Sequence, residues 1–187
     1  MNRLLLFLLV LACSAAHVIA DGAFLNVAIL ELPARYLADI PAENRTRFLI
    51  HLSQLHGDRR LDYGNGWLHY YNDNPYENPG ATSQVYLKLL SRKDDDPLVF
   101  VFMPKQHSRP YILERTGKGW LDVRKHVLPR TVDLSMDFSP RRLSNVVEVV
   151  SFKRTKTGMG RHVCDLVWDG AQFQMREPKN STPSDDD

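Results

Sequence analysis

His162-Val163-Cys164-Asp165-Leu166-Val167-Trp168-Asp169-Gly170, followed by Gln172 to Arg176, reads as two strands joined by a tight turn. Cys164, Leu166 and Trp168 alternate with Val163, Asp165 and Val167, a period of two that marks a strand with one buried face. Asp-Gly between two such runs is among the strongest short-range signals for a hairpin. Upstream, Val146 to Phe152 runs the other way and is joined to His162 by a glycine-containing loop, so the last third of the chain is an antiparallel meander.

The same pattern extends toward the N-terminus. Val132, Leu134, Met136 and Phe138 alternate with Thr131, Asp133, Ser135 and Asp137, which predicts a strand with those four polar residues in solvent. Thr116-Gly117-Lys118-Gly119 links Tyr111–Glu114 to Trp120–Val123 as a hairpin. Leu98 to Met103 is apolar throughout, as a central strand is, and the charged turn Asp94-Asp95-Asp96-Pro97 leads into it. Val85, Leu87 and Leu89 alternate with Tyr86 and Lys88, and Gly64-Asn65-Gly66 separates Leu61–Tyr63 from Trp67–Tyr71. A long loop, Asn72 to Ser83, lies between those last two segments.

Before Gly57 the period is different. From Pro41 it is helical, with Glu43 early in the segment and Phe48, Leu49, Leu52 and Leu55 at helix-face spacing. Gly57 is the expected stop, and a shorter turn is expected around Arg35 to Ala38. Phe24 to Leu32 reads as a strand or as buried extended chain. The expected fold is therefore α+β: an N-terminal helix packed on a mostly antiparallel, meander-like sheet of seven to nine strands, bent toward a half-barrel.

The ends of the chain carry a different kind of information. Met1-Asn2-Arg3, the apolar run Leu4 to Ala12 and the small residues of Val18-Ile19-Ala20 have the layout of a secretory signal cleaved before Asp21. Leu9-Val10-Leu11-Ala12-Cys13 also matches a lipobox, in which Cys13 carries the lipid. The expected layout is a signal at 1–20, one domain at 21–176 and a polar tail at 177–187. The expected location is periplasmic or extracellular, either free or anchored through Cys13. No later segment has membrane-spanning length without a charge.

Gly119-Trp120-Leu121-Asp122-Val123, Val127-Leu128-Pro129, Leu166-Val167-Trp168-Asp169-Gly170 and Phe173 together resemble a pattern found in uncharacterised secreted proteins and lipoproteins of bacteria. That resemblance implies export and a β-rich domain. It carries no assigned activity, so it transfers no functional residue.

Composition removes several classes of function. The net charge is +2 in 187 residues, and with no groove-reading helix nucleic acid is not an expected partner. Cys164 is the sole cysteine after the signal, so the core must hold without a disulfide, and its place beside Leu166 and Trp168 marks a buried, inert thiol. A catalytic or intermolecular thiol would need a neighbouring base or cation and access to solvent. His51 and His56 are five apart, which turns them away from each other on a helix, and His69, His107, His126 and His162 stand singly. There is no nucleophile elbow and no phosphate-cradling glycine run, and Glu31, Glu114 and Glu148 fall in separate elements. No cofactor or metal site is expected.

Two surfaces remain. Lys153, Arg154, Lys156 and Arg161 crown the loop KRTKTGMGRH, as a site for an acidic protein or an anionic envelope surface or, alternatively, as a solvated hairpin. Trp67 and Tyr76, with Tyr63, Tyr70, Tyr71 and Tyr86, form an aromatic span beside an Asn-rich loop, a composition suited to a glycan or to core packing. The expected function is a non-enzymatic exported binding or accessory domain. Its rivals are a secreted hydrolase whose site assembles only on folding and a structural lipoprotein tethered at Cys13.

Overall fold

Leu98-Val99-Phe100-Val101-Phe102 is buried at every position because apolar layers cover both sides of this strand. Val99 and Val101 point into one core, and Leu98, Phe100 and Phe102 point into another. Three layers result: helices, a six-stranded sheet and a four-stranded sheet. The computed structural model describes residues 22–37, 40, 42–54, 61–72, 83–104, 109–151 and 160–178, without the side chains of 51–54, 71, 72 and 83.

The first sheet runs in chain order: β1 (Leu61–Asp62), β2 (Trp67–Asn72), β3 (Ser83–Leu90), β4 (Leu98–Phe102), β5 (Tyr111–Thr116) and β6 (Gly119–Asp122). The second comprises β7 (Asp137–Pro140), β8 (Val146–Ser151), β9 (Arg161–Trp168) and β10 (Phe173–Arg176), with β7 and β10 at its edges. Every neighbouring pair is antiparallel. The α+β class holds, with ten strands in two open sheets among the described residues where seven to nine were expected in one bent sheet.

Between the sheets, Phe100, Phe102 and Ile112 meet Phe138, Val147, Val149, Leu166 and Trp168. On the other face, Leu68, Val85, Leu87 and Leu113 meet helix α1 (22–31) and the chain that follows it. Here the reading of Phe24 to Leu32 as a strand is corrected. Leu25, Ala28, Ile29 and Leu32 recur at the spacing of one helix face and are all buried, whereas Leu30 and Glu31 are exposed. A largely apolar run hides that stripe, because period alone does not separate a buried strand from a buried helix.

The one expected helix is present as α2 (Arg45–Gln54), entered through a 3-10 turn at Ala42–Asn44, and another 3-10 turn lies at Ala34–Tyr36. Arg45 joins the helices. Only 2% exposed, it donates to the carbonyls of Leu30, Leu32 and Ile40, and so satisfies acceptors that the end of α1 leaves open. A short helix, α3 (Arg124–Val127), follows β6.

The alternating run 132–138 is also corrected. Only Asp137 to Pro140 joins a ladder; the preceding residues turn, with the Asp133 carboxylate accepting from the Ser135 N–H at 2.9 Å and its hydroxyl at 2.7 Å. That local bond competes with strand pairing. Thr131, Asp133 and Ser135 are exposed as expected, but Asp137 is half-buried. Residues 1–21, Gly57, most of the 72–83 loop and residues 179–187 lie outside the described residues. Among the described residues no helix is long and apolar enough to cross a membrane.

Candidate functional site

The edge strand β7 touches the first sheet along β3, and its two ends make different contacts. At its C-terminal end, Trp67 donates its indole N–H to the Pro140 carbonyl at 3.1 Å. Lys88, 5% exposed, donates to the carbonyls of Asn65 and Arg142, both at 2.9 Å. Arg142 then pairs with Asp62 at 2.6 Å. Burial alone would raise the Asp62 carboxyl, but hydrogen bonds from Arg142 and Asn65 outweigh it and hold the group below its ordinary range. Gly66 sits beneath this junction with φ 53°, and a Cβ there would lie 2.7 Å from the Leu89 side chain.

At the N-terminal end of β7, along this edge of the second sheet, lies a cleft of about 390 Å³. Gln84, Tyr86, Phe102 and Pro104 line it from the first sheet, and Asp137, Phe138, Ser139, Glu148 and Val150 from the second. The sequence folds this way because Tyr86, on β3, faces the second sheet beside His69, its ladder partner on β2. The two rings stack 4.3 Å apart at 8°. Gln84 Nε2 lies 2.7 Å from the Tyr86 hydroxyl and 2.9 Å from His69 Nε2, so one amide group fixes both rings. Tyr86 is hydrogen-bonded in turn to Ser139 of β7; burial pushes its hydroxyl above the ordinary range, and the nearby Asp137 adds to that.

Asp137 differs from its peers. Asp62, Glu114, Asp122, Glu148 and Asp165 are the other described carboxylates that are not exposed, and each has an arginine or histidine partner within 3.1 Å. No such partner meets Asp137 among the described residues. Burial raises its carboxyl, with no charge to offset it.

A second polar group continues from Glu148 across the outer face of the second sheet. Arg141 lies 2.6 Å from Glu148 and 4.0 Å from Asp165, and His162 Nε2 lies 3.0 Å from Asp165. A register shift between Val149 and Val150 leaves Val163 unpaired, so His162 and Asp165, three residues apart, share a face. His162 is therefore not the solitary histidine that its sequence position implied. Ligand atoms of Glu148, His162 and Asp165 all lie within 4.8 Å of one another. Arg141 already supplies the counter-charge there, and the group is an ion-pair network.

Of the other residues singled out in the sequence, Trp67 is 7% exposed and joins the sheets, so it offers no ring to a ligand. Tyr70 packs edge-on against Phe48 at 4.8 Å, in the helix-side core. Arg161 is exposed at the start of β9. Lys153, Arg154, Lys156, Tyr76 and Cys13 lie outside the described residues. Cys164 is buried; burial, and secondarily Asp165, raise its thiol, which keeps it protonated and unreactive at neutral pH. Glu31, Glu114 and Glu148 do not converge: each binds its own arginine, Arg115, Arg92 and Arg141 respectively.

The fold and cleft define an α+β domain with an inter-sheet pocket. Set against protein-family models, curated proteins and solved structures, the chain matches none.

Proposed function

We propose that this chain is an exported, non-enzymatic binding domain that holds a small saccharide in the cleft between β3 and β7. The observation that carries the reading is the make-up of that cleft: polar groups from both sheets border the apolar surface of Pro104 and Val150. Small-ligand sites have this composition, and the volume falls near the lower end of their ~300–1,000 Å³ range. Among the three partner chemistries considered, the ionisable carboxyls of Asp137 and Glu148 disfavour an acidic protein and an anionic surface. They leave a glycan, whose hydroxyls suit Gln84, Tyr86 and Ser139. Export rests on the signal-like residues 1–20.

Two measurements test this. Saturation-transfer NMR against a panel of disaccharides should show contact, and Ser139→Trp, which fills the cleft, should abolish it. Charge reversal at Lys153, Arg154 and Lys156 should leave contact intact; loss of contact there with none at Ser139→Trp would move the site to the basic loop. Mass spectrometry of the exported chain should find a free Asp21, whereas diacylglyceryl on Cys13 would establish the lipoprotein.

One observation favours a secreted glycoside hydrolase. Asp137 and Glu148 line the same cleft in contrasting settings, one without a cation and one paired with Arg141, as an acid and a base would be. Release of reducing ends from oligosaccharides, lost in both Asp137→Asn and Glu148→Gln, would establish that reading over simple binding.

A further inference from the structure

We infer that the ligand carries a protonated amine, and that Asp137 is the group that receives it. This rests on the cleft being the binding site, and it narrows the ligand to an amino sugar without N-acetylation or a similarly sized polyhydroxy ammonium compound. The argument is one of charge balance. A carboxylate withdrawn from water is costly unless a cation or several donors meet it. Each of the other described carboxylates that is not exposed obeys that rule through an arginine or a histidine. Asp137 alone does not, and of the two carboxylates that line the cleft it is the one without a cation among the described residues. A ligand ammonium supplies the missing partner.

The surrounding side chains suit the same group. Tyr86 presents aromatic surface to the cleft, which attracts an organic cation, and Glu148 adds a second carboxylate to the lining. Arg141 is engaged by Glu148 at 2.6 Å, so it does not supply the cation that Asp137 lacks. A neutral sugar would hydrogen-bond to Gln84 and Ser139 but would leave the Asp137 charge unmatched.

Isothermal titration with an isosteric pair tests the inference: cellobiose, and the β-1,4-linked dimer of glucosamine, which replaces hydroxyls with ammonium groups. The charged dimer should bind about tenfold more tightly, the difference between a charged and a neutral hydrogen bond. Asp137→Asn, shown folded by thermal melting, should remove most of that difference. Equal binding of the two sugars, with Asp137→Asn weakening both alike, would overturn the amine inference and leave the saccharide reading standing. Failure of both to bind would remove both. A third arm asks whether the chain provides its own cation. Lys105, Lys153 and Arg154 lie near the cleft residues Pro104 and Val150 in sequence. In the Lys105→Gln/Lys153→Gln/Arg154→Gln variant the preference for the diamine should persist. If it rises tenfold while the Asp137 carboxyl resonance shows a changed titration, Asp137 has an internal partner and the inference fails.

Discussion

The two ends of β7 are three residues apart and do opposite things. At Pro140 every polar group that meets the first sheet is answered: the Trp67 N–H and the Pro140 carbonyl, Lys88 and two carbonyls, Arg142 and Asp62. At Asp137 a half-buried carboxyl lines a cleft, with no counter-charge among the described residues. The first end holds the layers in register. The second keeps a binding capacity that the fold does not consume, because a fully satisfied surface has nothing left to offer a ligand.

Breaking the locked end should cost the most. Trp67→Ala removes a buried ring together with its bond to Pro140, and should destabilise by about 3–5 kcal/mol in denaturant unfolding. Lys88→Met leaves the carbonyls of Asn65 and Arg142 without their donor and should cost about 1–3 kcal/mol by the same measurement. Gly66→Ala forces a side chain into positive φ against Leu89, with a penalty of similar size, about 1–3 kcal/mol. An unchanged midpoint in the lysine variant would show that the inter-sheet tie contributes nothing.

Smaller effects should separate the ends by sign. The Asp62 carboxyl is held below its ordinary range, so its contribution is present above that range and is lost as pH falls through the folded value. Arg142→Ala should flatten this slope and cost about 1 kcal/mol at neutral pH. Burial raises Asp137, so the folded state binds its proton more tightly than the unfolded chain does, and stability falls as pH rises through the ordinary carboxylate range. Asp137→Asn should therefore be slightly more stable than the parent at neutral pH, by less than about 1 kcal/mol, and should lose that slope. Urea titrations across pH 3 to ~7 would compare the two variants directly.

Much of the sheet was legible in the sequence because its signals are local. The turn at Gly64-Asn65-Gly66, the hairpin around Gly117 and the Asp169-Gly170 turn each stand where their residue types demand. Leu98 to Phe102 announced a strand buried on both faces. Helix α1 was missed because Phe24, Val27 and Leu30, off its buried stripe, are apolar as well and blur the period. The segment 132–136 was misread because a single Asp133 side chain outcompeted the ladder that its alternation promised. The cleft was not legible at all: Tyr86 and Ser139 are brought together by the stacking of two sheets, and no spacing in the chain records that. The pairing of His162 with Asp165 needed a bulge, which strict alternation cannot anticipate.

Backbone amide shift mapping during titration with the glucosamine dimer tests the central claim most directly. Shifts concentrated at Gln84, Tyr86 and 137–139, with the Pro140–Arg142 end still, are the expected result. Shifts confined to 153–161, or spread evenly over both ends of β7, would contradict a binding site at the Asp137 end of that strand.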